Sequence, residues 1–383
     1  MTVTTPKGFR AAGVSAGLKS SGKLDVALVV NDGPLQIAAG VTTQNRIKAA
    51  PVVWTDRVLK SGDIKAVVLN SGGANACTGP DGFGDTHATA EHVATLLNCG
   101  AGEVAVCSTG LIGIRLPMDK LLPGIDAACQ ALTITGGDDA AHAIMTTDSV
   151  AKEIAVAGDG FSVGGMAKGA GMLAPGLATM LSVITTDAVV DVELANRALK
   201  WATSRTFDRI DSDGCMSTND TVILLASGAS GTTPTVAEFI EAVEGACGEL
   251  ARALIGDAEG ASKDIKIAVG GATTEDQAVE AARAVSRSNL LKCAIHGEDP
   301  NWGRVLSALG TTDVTFDPGA IDVAINGVWV CRDSSVGDDR DLVNMKGRTI
   351  EIDVNLHAGD KSAAVWTNDL TADYVHENSA YSS

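Results

Sequence analysis

The chain has 383 residues, 45% of them apolar but only 3% aromatic, with 43 glycines and a formal charge of −18. That length suggests either two domains or one large α/β unit, packed mainly with Ala, Val, Leu and Ile. The acidic balance excludes a general nucleic-acid binder, which needs a basic footprint, although a local basic group can still hold a small anion.

Asp25–Val30 and Ile64–Leu69 read as buried strands, the second running into the glycine-rich loop NSGGANACTG, Asn70–Gly79. Asp85 is placed to cap a helix whose Ala90, Val93, Ala94 and Leu97 recur at helical spacing. Glu103–Cys107 is a strand ending in Ser108-Thr109-Gly110. Ile154–Ala157 and Phe161–Val163 form a hairpin through GDG. Lys168–Ala188 crowds small residues around Thr179 before an apolar strand-like run. Asp191 caps a helix carrying Leu194, Ala195, Ala198, Leu199 and Ala202. Thr235 with Glu238 makes a capping box before a longer helix with Ile240, Val243, Cys247, Leu250 and Leu254 inward. After an Ile265–Val269 strand, Thr274 with Gln277 makes a second box. Asn326-Gly327 marks a hairpin, and Ile350, Ile352, Val354 and Leu356 alternate as in a half-exposed antiparallel strand. Interleaved strands and helices favour α/β layers with mixed sheets.

Segment Met1–Asp25 lacks an apolar signal core and no apolar run reaches membrane-spanning length, so a soluble, cytoplasmic protein is expected. Eight scattered cysteines without a CxxC pair read as reduced thiols in the core. The six histidines show no HxH or HExxH spacing, and no metal site is expected.

Three motifs fail on inspection. Gly169–Ala174 fits GxGxxA, but Pro175-Gly176 interrupts the helix that a dinucleotide site requires, so nicotinamide binding is rejected. GGMAKGAG lacks the GKS or GKT of a phosphate loop. Asp211-Ser212-Asp213-Gly214 is similar to a calcium loop, yet that register puts Arg209 first and Asp220 last, where Asp and Glu are needed.

Thr179 carries the sharpest hypothesis. Were the Ala178–Thr179 bond cut, Thr179 would gain an α-amine of pKa near ~8, able to serve as base for its own hydroxyl. The same hydroxyl can make the cut: it attacks the Ala178 carbonyl, the acyl group moves from nitrogen to oxygen, and water releases the ester. Ser108-Thr109-Gly110 offers donors for an oxyanion, each worth about 3 kcal/mol of barrier. Lys168 is suited to a substrate carboxylate and Glu259 to a substrate amine. Each residue taken alone also has an ordinary reading: a structural threonine, a strand-end turn, a surface lysine, a solvated glutamate.

Together the segments NSGGANACTG, CSTGLIG, AIMTTD, GGMAKGAGMLAP, LATML, STNDT, DAEG, DPNWGRVL and ENSAYSS resemble the ornithine acetyltransferase / glutamate N-acetyltransferase family of arginine biosynthesis, in its actinobacterial form. The resemblance runs over nearly the whole chain. It implies an αββα sandwich of mixed sheets, of the kind found in self-processing aminopeptidases. It also implies two intertwined fragments, 1–178 and 179–383, produced by self-cleavage between Ala178 and Thr179. Thr179 is then the nucleophile that carries acetyl from N-acetylornithine to glutamate, with Thr109 and Gly110 as the oxyanion hole. The implied substrate contacts are Thr146, Lys168, Thr179, Glu259, Asn378 and Ser383. Association of the αβ units into a larger oligomer is expected, no metal or redox cofactor is required, and acetyl-CoA stays open as a second donor. His296, Cys215-Met216 and Ala261-Ser262 depart from the family pattern. The alternatives are a self-processing aminopeptidase or amidase with the same nucleophile, and a non-catalytic amino-acid-binding protein.

Overall fold

A computed structural model of the chain describes residues 2–174 and 180–380. The chain divides into two compact units. One gathers Met1–Met172, Gly176–Asp208 and Met216–Leu254; the other gathers Leu173–Pro175, Arg209–Cys215 and Ile255–Ser383.

The first unit runs β1 (Phe9–Val14), β2 (Val26–Asn31), β3 (Ile37–Thr42), α1 (Ala50–Val58), β4 (Ala66–Ser71), α2 (Gly79–Leu97), β5 (Val104–Thr109), α3 (Met118–Gln130) and α4 (Gly137–Ala143). It continues with β6 (Lys152–Ala157), β7 (Ser162–Lys168), β8 (Leu181–Thr186), α5 (Val192–Arg205), β9 (Thr221–Ala226) and most of α6 (Val236–Gly256). One sheet has the order β1-β2-β4-β5, the other β3-β9-β8-β7-β6. Strands β4 and β5 are parallel, as are β8 and β9, and the remaining pairs in these sheets are antiparallel.

The central strands are buried on both faces, so their sequences are apolar without alternation. Ala27, Val29, Val67, Leu69, Ala105 and Cys107 of one sheet share a core with Met166, Leu181, Val183, Ile223 and Leu225 of the other. The opposite face of the first sheet, with Val26, Leu28, Val68 and Val106, is covered by Val93 and Ala94 of α2 and Leu121 and Ile125 of α3. Leu250 of α6 lies over Gly165 and Ile184 of the second sheet. The four layers are helix, sheet, sheet, helix, as expected.

The second unit runs β10 (Asp264–Ala272), α7 (Glu275–Ser286), α8 (Asn289–His296), α9 (Trp302–Leu309), β11 (Asp322–Ile325), β12 (Val328–Arg332), β13 (Ser335–Val336), β14 (Thr349–Asn355), β15 (Lys361–Asn368) and α10 (Ala372–Ala380). Its sheet order is β13-β12-β11-β14-β10-β15. Ile265, Ile267, Val269, Ile350, Ile352 and Val354 make a core with Ala278, Ala282, Val285, Leu291 and Val305 of the three helices α7 to α9.

Several local expectations hold. Asp191 accepts from Leu194 N at 2.7 Å and caps α5, and Thr235 and Glu238 exchange both bonds of their box. Others change. Helix α2 begins at Gly79 with Pro80 in its first turn, so Asp85 lies inside it, bound by Arg115 instead of capping. Thr274 caps α7, but Gln277 accepts from the Thr273 hydroxyl and leaves the second box half made. Strand β14 pairs in parallel with β10 as well as antiparallel with β11. All eight cysteines are free, yet only Cys107, Cys247 and Cys331 are buried; Cys77, Cys215 and Cys293 are exposed.

Candidate active site

Thr109 closes β5, faces Ser71 across the parallel ladder, and its carbonyl accepts from Gly72 N and Gly73 N, each at 3.0 Å. Gly110 follows with φ +131°, and a Cβ there would lie 2.5 Å from the Gly73 nitrogen. Only glycine meets both demands. The turn is braced from behind. Ser108 Oγ donates to Asn70 Oδ1 at 2.6 Å, and Asn70 Nδ2 donates to Gly73 O at 3.1 Å. Asn219, just before β9, donates to Ser108 O at 2.8 Å and Ala74 O at 2.6 Å. The two glycine-bearing segments of the sequence are therefore one backbone-rich corner, held rigid by side-chain amides.

Lys168 ends β7 and is 2% exposed, so the surface-lysine reading fails. Its Nζ lies 3.9 Å from Asp148 Oδ2. Asp148 is itself buried and fully engaged. Its Oδ1 accepts from Lys152 Nζ at 2.7 Å and Gly169 N at 2.6 Å, and its Oδ2 from Thr146 N at 2.9 Å. Burial opposes its ionisation, but the charges of Lys168 and Lys152 and these hydrogen bonds win, and its pKa falls to about 2. Thr146 and Lys168 are thus tied to one carboxylate. Ser71, opposite Thr109, donates its hydroxyl to Ala143 O, three residues before Thr146, so the glycine corner and the lysine cluster share one end of the first unit.

Ala178 and Thr179 lie outside the described residues, as does Ser383. The next residue, Met180, is buried and donates its N–H to Asp220 Oδ1 at 3.1 Å. Asp220 is wholly buried, and among the described residues its Oδ2 meets no donor at hydrogen-bond geometry. Burial pushes its carboxyl well above the usual range, despite the Met180 N–H, Ser217, the charge of Lys168 and Thr43. Beside the residue that follows Thr179 there is therefore a carboxyl whose protonated form is favoured by burial.

In the second unit, Asn378 of α10 donates to Glu259 Oε2 at 2.9 Å. The approach depends on Gly260, φ +60°, where a Cβ would lie 2.2 Å from Tyr374 N. Thr371 donates to Gly260 O at 2.6 Å and accepts from Tyr374 N at 2.9 Å, fixing the start of α10 against this loop. The structure therefore pairs Glu259 with Asn378 in one unit, and brings Thr109, Gly110, Thr146 and Lys168 to one end of the other. His296 Nδ1 meets Asp369 Oδ2 at 2.9 Å and Ser262 Oγ at 3.3 Å. Both partners crowd the same ring nitrogen, unlike a nucleophilic triad in which base and orienter use opposite nitrogens.

Sequence reasoning passed over Asp148, Asn219, Asp220 and Lys19. The first three stand inside segments it had singled out, MTTD and STNDT; their signal was a carboxylate or amide embedded in an otherwise small, uncharged run. Lys19 carried no such signal.

Among the described residues no group of three His, Cys, Asp or Glu side chains is placed to hold a metal. No helix among them is long and apolar enough to cross a membrane.

The ArgJ family model matches residues 10–383. "Arginine biosynthesis bifunctional protein ArgJ" of Streptomyces coelicolor is 67% identical over all of both chains. The protein of the same name from Mycobacterium leprae is 56% identical, over 100% of this chain and 96% of its own. Among solved structures, an ornithine acetyltransferase complexed with ornithine from Mycobacterium tuberculosis is 61% identical, covering 47% of this chain and 96% of that one, with a TM-score of 0.45.

Proposed function

The chain belongs to the ArgJ family and is an acetyltransferase of arginine biosynthesis; from that premise we propose that it moves the acetyl group of N2-acetyl-L-ornithine to L-glutamate through an acetyl-Thr179 intermediate. The observation that carries this reading is the braced corner at Thr109-Gly110, which shares one end of the unit with the buried Lys168–Asp148 pair.

Processing comes first. The Thr179 hydroxyl adds to the Ala178 carbonyl, the C–N bond breaks as the ester forms, and water hydrolyses the ester, leaving fragments 1–178 and 179–383. The new α-amine then takes the proton of its own hydroxyl. Lys168 holds the α-carboxylate of acetylornithine, Thr146 helps frame it, and Glu259 with Asn378 and Ser383 recognises the remainder of the amino acid. Thr179 Oγ attacks the acetamide carbon, and backbone donors at Thr109 and Gly110 receive the oxyanion. Ornithine leaves with the proton from the α-amine. The neutral amine of glutamate then attacks the ester, a C–N bond forms, the C–O bond breaks, and the proton returns to Thr179 Oγ. The reading includes assembly of αβ units into a larger oligomer in the cytoplasm.

Intact-mass measurement with and without acetylornithine tests this. Two fragments are expected, the heavier beginning at Thr179 and gaining one acetyl group, discharged faster by glutamate than by water. Thr179→Ala is expected to remain one chain of full length. A fully active unbroken chain overturns the reading; an adduct indifferent to glutamate makes the protein a hydrolase instead.

A further inference from the structure

We propose that Lys19 is a second substrate-anchoring ammonium, which with Lys168 forms a two-cation carboxylate subsite selecting the dicarboxylate acceptor. The inference rests on the reading above that Lys168 receives a substrate carboxylate.

Lys19 is half-buried in the segment between β1 and β2. Its neighbour Leu18 packs against Gly72 of the glycine corner, close enough that a Cβ on Gly72 would meet Leu18 Cβ at 3.0 Å. Lys19 Nζ donates to Leu24 O at 2.8 Å and Met145 O at 2.7 Å. An ammonium has three donors, and no hydrogen bond or ion pair is made by the third among the described residues.

One peptide unit links the two lysines. The Met145 carbonyl takes Lys19, while the N–H on the other side of that peptide bond, from Thr146, binds Asp148 Oδ2, the oxygen that lies 3.9 Å from Lys168 Nζ. Lys19 and Lys168 thus approach the same small frame from two sides.

Among the described residues, the ammonium of Lys19 feels the charges of Asp25 and Asp148 on one side and of Lys168 and the exposed Lys23 on the other, and Asp148 is shared with Lys152 and Lys168. Asp25 is already occupied by Ala16 N, Leu18 N and Lys19 N at 2.6 to 3.1 Å, and Asp148 by the bonds described above. Burial lowers the Lys19 ammonium to about 8, with Lys168 and Lys23 repelling it and Asp25 and Asp148 only partly compensating. Such a group gains most from an arriving anion.

The two substrates differ in what they can offer. Acetylornithine brings one carboxylate and a side-chain ammonium; glutamate brings two carboxylates. A second ammonium in the carboxylate subsite gives glutamate an ion pair that the donor cannot make, and opposes the donor's own cation. The acceptor therefore gains where the donor does not.

The test compares glutamate with glutamine, which lacks the side-chain charge, as acceptors for the preformed acetyl-enzyme. In the wild type, kcat/KM favours glutamate. Lys19→Met is expected to lower that preference by about tenfold, the scale of one charge-assisted hydrogen bond, and Lys19→Arg to keep most of it. The wild-type preference is also expected to fall as pH rises through about 8, where free Lys19 loses its proton. A preference unchanged in Lys19→Met, or lost equally in Lys19→Arg, overturns the proposal. Were the wild type to form no acetyl-enzyme, the parent reading would fail instead; calorimetric titration of glutamate into wild type and Lys19→Met would then still decide whether Lys19 binds it. Should Lys19→Met not fold, the wild-type pH profile and Lys19→Arg carry the decision.

Discussion

Replacing Asp148 by asparagine removes one negative charge from between two buried ammoniums. Asp148 is lowered from the ordinary 3.8 to about 2, which is worth roughly 2.5 kcal/mol of stability in its ionised form. Because the folded value lies below the unfolded one, this contribution is complete above pH 3.8 and disappears as pH falls through about 2. The asparagine does more harm than that figure, since the Asp148 charge is withdrawn from two buried ammoniums, Lys152 and Lys168; breaking a buried pair costs about 3–5 kcal/mol. Urea unfolding at neutral pH is expected to show a loss in that range for Asp148→Asn. Lowering the pH from 4 to 2 should narrow the gap to wild type. A loss below about 1 kcal/mol, or a gap unchanged in acid, would refute the assignment of Asp148 as the counter-ion of this cluster.

Gly110→Ala places a Cβ 2.5 Å from the Gly73 nitrogen on a backbone with φ +131°. Acetyl transfer is expected to fall by about 100-fold or more, in line with losing an oxyanion donor, and a fall of less than threefold would remove this turn from the chemistry. Burial favours the protonated carboxyl of Asp220; Asp220→Asn keeps that shape and the acceptor for Met180 N, so stability should change by less than about 1 kcal/mol, whereas Asp220→Ala loses the contact. An asparagine variant as damaged as the alanine one would mean that Asp220 works as an anion. Gly260→Ala would drive a methyl into the Tyr374 backbone; it is expected to release α10, detected as faster amide exchange across Ala372–Ala380.

Much of the layered fold was legible because the central strands are continuous apolar runs between turn residues, and because caps such as Asp191 and Thr235 mark helix starts locally. What escaped detection was long-range or unpatterned. Strands β1 and β3 are short, with an Ala-Gly content that gives no alternation, and their existence depends on pairing with β2 and β9. Helix α10 had no predicted counterpart, although Asn378 within it was named as a substrate contact: it has no buried face of its own sequence and is held by Thr371 and Gly260. In the site, Thr109, Gly110 and Lys168 stood out through motif resemblance. The burial of Lys168 and the dependence of Thr146 on Asp148 could not be read from residue order, because they arise where β7 meets the segment after α4. Lys19 was still further from view: its partners at Leu24 and Met145 are backbone carbonyls, which leave no signature in the sequence.

The order of the five-stranded sheet has a consequence for a chain that severs itself. Strands β8 and β9, downstream of the proposed break, are flanked by β3 and β7, which lie upstream of it. Scission at that point would therefore free no piece: the halves stay zipped along two full ladders and co-purify one to one until denaturant melts the sheet. The fresh terminus would open only two residues ahead of a strand clasped on either side by the other fragment's β7 and its own β9.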